Sequence, residues 1–123
     1  MSSILDDVKH TLGLLPSDHA FDSDVTLHIN TVFGILHQIG VGPNEGFMIT
    51  GSTETWDEFV DDPRLNAVKS YMFLRVKLMF DPPQVGFVIS SMDRQIDMLE
   101  WRLLVAADDQ PLIEDEIVGG GGA

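Results

Sequence analysis

Between Val85 and Ala106 the apolar residues fall at alternating steps of four and three: Val85, Ile89, Met92, Ile96, Leu99, Leu103 and Ala106. A half-buried strand would alternate every second residue, so three heptads of this rhythm predict a helix with one continuous apolar seam. Such a seam has to be covered by other helices, which makes the fold class all-α. The opposite side of the same helix carries Met98, Trp101 and Val105, again three and four apart. Asp93, Asp97 and Glu100 flank one edge of it, and Arg94 and Arg102 flank the other. A helix with acids on one edge and arginines on the other can pair with copies of itself in a ring. Trp101 is the first choice for the centre of an interface, where a large rigid ring buries much area; a second core layer inside one subunit is the alternative.

Three further helices precede this one. The first, about 3–14, has Ser3 followed by Asp6 as a capping box and Ile4, Val8 and Leu12 at every fourth residue, and Gly13 and Pro16 end it. The second runs from about 22 to 39, with Asp22 or Ser23 as its cap. Its stripe is Val25, Ile29, Val32, Leu36 and Ile39, and Gly40, Gly42 and Pro43 stop it. The third begins at Asp62-Pro63, a cap followed by proline in the first turn, and ends near Asp81-Pro82-Pro83. It has two stripes, Leu65, Val68, Met72, Val76 and Met79 on one side and Tyr71, Leu74 and Leu78 nearly opposite. A helix apolar on two sides is central in its own bundle, or lies between that bundle and a neighbour.

Residues 40–62 are the irregular part. Phe47-Met48-Ile49-Thr50 fits a short strand or an extended anchor, and Thr55 to Val60 fits one helical turn with Trp56 and Phe59 on one side. From Asp108 the chain is acidic, with Leu112-Ile113 and Ile117-Val118 as small apolar anchors before four glycines. The chain therefore reads as a small four-helix bundle-like domain over residues 1–107, with an irregular loop between the second and third helices. An extended, flexible acidic tail, 108–123, follows; it either solubilises the protein or orders on a partner.

Charge narrows the partners. Seven lysines and arginines face twenty acids, a formal net charge of −13. Binding to DNA phosphates needs clustered cations, so this balance argues against a general DNA-binding role. Four of the seven cations, Arg64, Lys69, Arg75 and Lys77, lie in residues 64–80, which contain no acid. A basic helix inside an acidic chain suggests complementary surfaces within a subunit or between neighbours. No run of about 18 apolar residues exists to span a membrane, and the N-terminus carries acids where a signal peptide carries basic residues, so no export is expected.

The chemistry of a catalytic site is not legible. There is no cysteine to act as a nucleophile, disulfide or thiolate ligand, and no serine stands in a nucleophile-elbow pattern. His10, His19, His28 and His37 show no i,i+4 pairing. His28 and His37, nine apart, project to opposite sides of one helix. Asp57, Glu58, Asp61 and Asp62 could hold a cation, which leaves a metal-dependent hydrolase as a remote reading, but they lack EF-hand spacing. Met48, Met72, Met79, Met92 and Met98 could form an adaptable surface, although three of them fall on core stripes. The expectation is no catalytic residue, no metal and no cofactor.

The order of several short segments is informative. Asp62-Pro63-Arg64-Leu65, Val68-Lys69-Ser70-Tyr71, Leu74-Arg75-Val76-Lys77-Leu78 and Phe80-Asp81-Pro82-Pro83 together resemble the head–tail connector family of long-tailed phages. Leu12-Gly13-Leu14, His28-Ile29-Asn30, Gln38-Ile39-Gly40-Val41-Gly42-Pro43, Gly46-Phe47-Met48-Ile49, Thr55-Trp56-Asp57 and Glu100-Trp101-Arg102 extend the resemblance over about residues 3–104. It implies a structural adaptor, made in the host cytoplasm and carried in the virion. The adaptor would form a ring, commonly twelvefold, around the DNA channel, with the portal above and a stopper or tail-completion protein below, and no sequence-specific DNA contact. The residues expected at the subunit interface are Met98, Trp101, Val105, Arg94, Arg102, Asp93, Asp97, Tyr71, Leu74, Leu78 and Arg75. Those expected to meet the portal or tail are Trp56, Phe59, Leu112, Ile113, Ile117 and Val118. The rival is a regulatory helical module that binds one protein partner.

Overall fold

The computed structural model describes residues 3–62 and 64–108. Five helices follow one another among them: α1 (Ile4–Thr11), α2 (Asp22–Ile39), α3 (Trp56–Phe59), α4 (Leu65–Phe80) and α5 (Gly86–Asp108). No strand is present among the described residues, and a single antiparallel bridge joins Ser3 to Thr55. The fold is a small all-α bundle, as the periodicities predict.

Local chemistry sets the helix ends. Ser3 accepts the Asp6 amide at 3.2 Å to cap α1. At the far end of α2, Gly40 takes a left-handed conformation, φ +98°, and its N–H returns to Leu36 and His37. The start of α2 differs from expectation. Its N-cap is Phe21, with no side-chain cap, because Asp22 is engaged elsewhere. The buried Lys9 ammonium lies 2.7 Å from Asp22 Oδ1, a charge contact without good hydrogen-bond alignment. Lys9 also donates to the carbonyls of Pro16 and Asp18. An ammonium enclosed in protein needs a counter-charge more than a helix end open to water needs a cap. α4 also starts later than the Asp62-Pro63 pair suggests. Asp62 accepts from the amide and guanidinium of Arg64, forming a turn that delays the helix to Leu65.

α4 is the centre of the bundle. It packs most extensively on α2 and α5, and α1 covers both α2 and α4. Its Val68, Tyr71, Met72 and Val76 are fully buried, while Leu65, Leu74 and Leu78 pack on the core from its margin. Both apolar sides of the basic helix are therefore used within the subunit. Its cations are used there too: Arg64 pairs with Asp62, Lys77 with Asp81 and Arg75 with Glu100, and Lys69 sits over the Trp56 ring.

The segment 40–62 contains no strand, and Phe47–Thr50 acts as an extended anchor. Asn30 on α2 binds both backbone groups of Ile49, accepting its N–H at 2.7 Å and donating to its carbonyl at 3.0 Å. Phe33, Phe47 and Phe59 form a ring cluster with centroids 4.6–5.4 Å apart. Gly42 passes so close to Phe59 that a Cβ there would overlap the ring, 2.7 Å from its Cζ, and its φ is +98°. Trp56 is buried and donates its indole N–H to Asp7 at 2.7 Å, locking the loop to α1.

Candidate outer face of α5

α5 is the longest helix, and only part of its seam finds cover. Ile96 and Leu103 are buried against α2 and α4, and Leu99 packs beside them. Val85, at the head of the seam, is 57 % exposed, because α5 begins beyond the edge of the core. Six of the eleven large apolar side chains that stand exposed among the described residues lie on α5 or just before it, so the unfilled surface belongs to this helix: Val85, Phe87, Val88, Met98, Trp101 and Leu104.

At about 100° per residue, Phe87, Arg94, Met98, Trp101 and Val105 fall in one stripe opposite the seam. Phe87 is 76 % exposed and Trp101 65 %; Met98 is exposed and Val105 half-buried. No acid lies on this stripe. Asp93, Asp97 and Glu100 occupy one flank, and Arg102 the other. Arg94 and Arg102 make no ion pair, hydrogen bond or ring contact among the described residues, whereas each of the other five cations makes one. A shallow cleft beside Trp101 is lined by Ile39, Asp97, Glu100 and Leu104.

The remaining candidates lie elsewhere. Tyr71 is buried, and its hydroxyl donates to Glu100 Oε2 at 2.6 Å while accepting from Arg75 Nε at 3.0 Å. Arg75 also pairs with the same Glu100 oxygen. This triad ties α4 to α5. Burial pushes the Tyr71 hydroxyl well up, with Glu100 adding to it. Burial raises the Glu100 carboxyl, but the hydrogen bonds from Tyr71 and Arg75 outweigh it and hold the group below its ordinary value. Trp56 and Phe59 are also core residues, so with Tyr71 they offer no surface to a partner in this conformation. Leu74, Leu78 and Arg75 are half-buried along α4. Leu112, Ile113, Ile117 and Val118 lie outside the described residues. Phe87 was not among the sequence candidates, although its place seven residues before Arg94 and fourteen before Trp101 puts it on their stripe.

The four acids at 57–62 do not converge: Asp62 serves Arg64 and Asp57 accepts from the Thr55 hydroxyl. Among the described residues no group of three histidine or acidic side chains could hold a metal, and no helix is long and apolar enough to cross a membrane.

With an outer face of this kind on an all-α bundle, the match to known families is decisive. Residues 4–110, from the start of α1 through α5, match the phage connector proteins. The chain belongs to that family. No curated protein and no solved structure is similar enough to match. Membership gives the connector a structural role in the phage particle. It also gives the free face of α5 a context, since a connector exists to join other proteins.

Proposed function

We propose that this connector assembles as a ring of copies beneath the portal, commonly twelvefold, extends the DNA channel and docks the stopper or tail-completion protein. The observation that carries this reading is the outer stripe of α5. An apolar and basic face on an acidic subunit is matched best by another copy, whose surface offers acids to Arg94 and Arg102. Met98, Trp101 and Val105 form the centre of that lateral contact, and Asp93 and Asp97 its polar rim. The net charge of −13 fits the wall of a conduit, because a wall rich in cations would hold DNA instead of letting it pass. The protein is made in the host cytoplasm and ends in the virion at the head–tail interface.

The test is to mix the purified protein with portal rings and image the product. A ring seated coaxially on the portal is the expected result. Absence of any association would contradict the reading and favour a module that binds a different protein partner.

A further inference from the structure

A closed ring of more than two copies joins each subunit to the next through two different surfaces, so the outer face of α5 needs a complement elsewhere on the same chain. α2 offers one. Its inward stripe, Val25, Ile29, Val32 and Leu36, is buried, and Leu27 and Gly34 stand on the opposite, exposed side, seven residues apart. Two clefts open between this side of α2 and the 45–52 segment. Both are lined by Asn30, whose side chain holds the N–H and the carbonyl of Ile49, so they form one furrow with a fixed floor. Leu27 lines the first cleft and Met48 the second, and each is 64 % exposed.

Gly34 lies beside Met48 in the second cleft. A glycine inside an 18-residue helix weakens that helix relative to alanine. A Cβ there would meet nothing within 4 Å and the residue is helical, so neither a turn nor the packing of the subunit calls for glycine. A bulky ring laid against the helix from outside does.

Charge selects the occupant. Asp6, Asp22 and Glu45 line the furrow, and no lysine or arginine does. Asp22 is held by Lys9 and His19, but Asp6 and Glu45 enter no ion pair among the described residues. The outer face of α5 has the reverse pattern. Its stripe carries no acid, and Arg94 and Arg102 enter no ion pair among the described residues, although Asp93 and Asp97 lie beside Arg94 along the chain. The two surfaces also lie on different sides of the subunit, as head-to-tail joining requires. Asn30, Phe33 and His37 border the 45–48 segment, whereas Ile39, on the opposite side of α2, lines the cleft beside Trp101.

We infer that the furrow between α2 and residues 45–52 receives the outer face of α5 from the neighbouring copy, with Trp101 laid on Gly34 between Leu27 and Met48. Arg94 precedes Trp101 by seven residues, as Leu27 precedes Gly34, a rise of about 10 Å on either helix. With the two helices parallel, Arg94 falls at the level of Leu27, where Asp6 lines the furrow, and Arg102 falls near Glu45 beside Gly34. This contact rests on the reading of the assembly as a ring and adds the second half of its lateral interface.

The test uses the full chain, which has no cysteine of its own. The variants Leu27→Cys and Met98→Cys, and the double variant carrying both, are bound to portal rings and treated with a short bis-maleimide. A ladder of covalent multimers is expected from the double variant and none from the single ones. Dimers from either single variant would show like faces pairing, and an occupied portal with no ladder would show a different complement; both results overturn the inference. Gly34→Arg gives a second readout. It replaces a poor helix former and points into open space, so the denaturation midpoint of the free subunit should rise while portal occupancy falls by about tenfold or more. A lower midpoint or an unchanged occupancy each overturns the inference. If the unaltered chain does not associate with the portal, the ring reading fails, and cross-linking of the double variant in concentrated solution decides the contact: a ladder retains it, and no ladder removes it.

Discussion

Replacing Trp101 by Glu separates assembly from folding. The side chain stands 65 % exposed on the outer stripe of α5, so the substitution removes little from the subunit's own core. A surface change of this kind alters folding stability by no more than about 1 kcal/mol, even with Asp97 one turn before it. The effect on a lateral contact is much larger. A tryptophan carries about 200–250 Å² of surface. Covering the two-thirds now exposed removes roughly 130–160 Å² from water, which contributes about 3–4 kcal/mol per interface. That corresponds to between two and three orders of magnitude in association, before any penalty for burying the new carboxylate. Subunits bound to portal rings are counted by sedimentation over a concentration series, with helical content and the denaturation midpoint of the free variant as controls. The expected outcome is a variant that folds normally and does not occupy the portal. An unchanged occupancy curve would show that Trp101 lies outside the contact, and the assignment of the α5 outer face would be wrong.

Other substitutions test the packing that presents this face. Gly42→Ala forces a side chain into a left-handed position against the Phe59 ring, and should cost about 2–4 kcal/mol in chemical denaturation. Lys9→Met leaves the Pro16 and Asp18 carbonyls without their donor and takes the buried counter-charge from the Asp22 carboxylate, which keeps only His19 beside it. A loss of about 2 kcal/mol is expected, limited because Asp22 is partly solvated; an unchanged midpoint would refute the role of the ammonium. Glu100 titrates below its ordinary value in the folded protein, so its contribution is complete above the unfolded carboxylate pKa and is lost as pH falls through the folded one. Glu100→Gln should therefore narrow the stability difference between pH 6 and pH 3, read as denaturant midpoints, and a difference as large as in the unaltered protein would contradict the triad.

Much of the fold was legible because helices write their buried faces into the sequence at fixed intervals. The extent of α2 follows from its stripe and from the Gly40–Pro43 stop, and the seam of α5 correctly marks Ile96 and Leu103 as buried. Periodicity shows which side of a helix is apolar, but not how far its neighbours extend along it. Val85 keeps the rhythm yet stands exposed, since no helix reaches that far. The two-sided α4 left two readings open, and contacts with α1, α2 and α5 make it central within the subunit. Trp56 and Phe59 were legible as a pair on one side of a turn. That this side faces inward depends on Asp7, 49 residues away, and on the Phe33–Phe47 rings, which no local pattern encodes. Arg75 was placed at the subunit interface, and its pairing with Glu100 across two helices is equally non-local. The free stripe of α5 was legible at Met98 and Trp101, where apolar residues repeat within one turn. Phe87 escaped notice because only a polar residue, Arg94, links it to them.

The most direct measurement is a map of the portal-bound assembly at side-chain resolution. It should show Trp101 and Met98 in van der Waals contact with the adjacent copy, and Arg94 or Arg102 within ion-pair distance of one of its carboxylates. A ring in which Trp101 faces solvent or the channel, with subunits joined through another surface, would contradict the assignment.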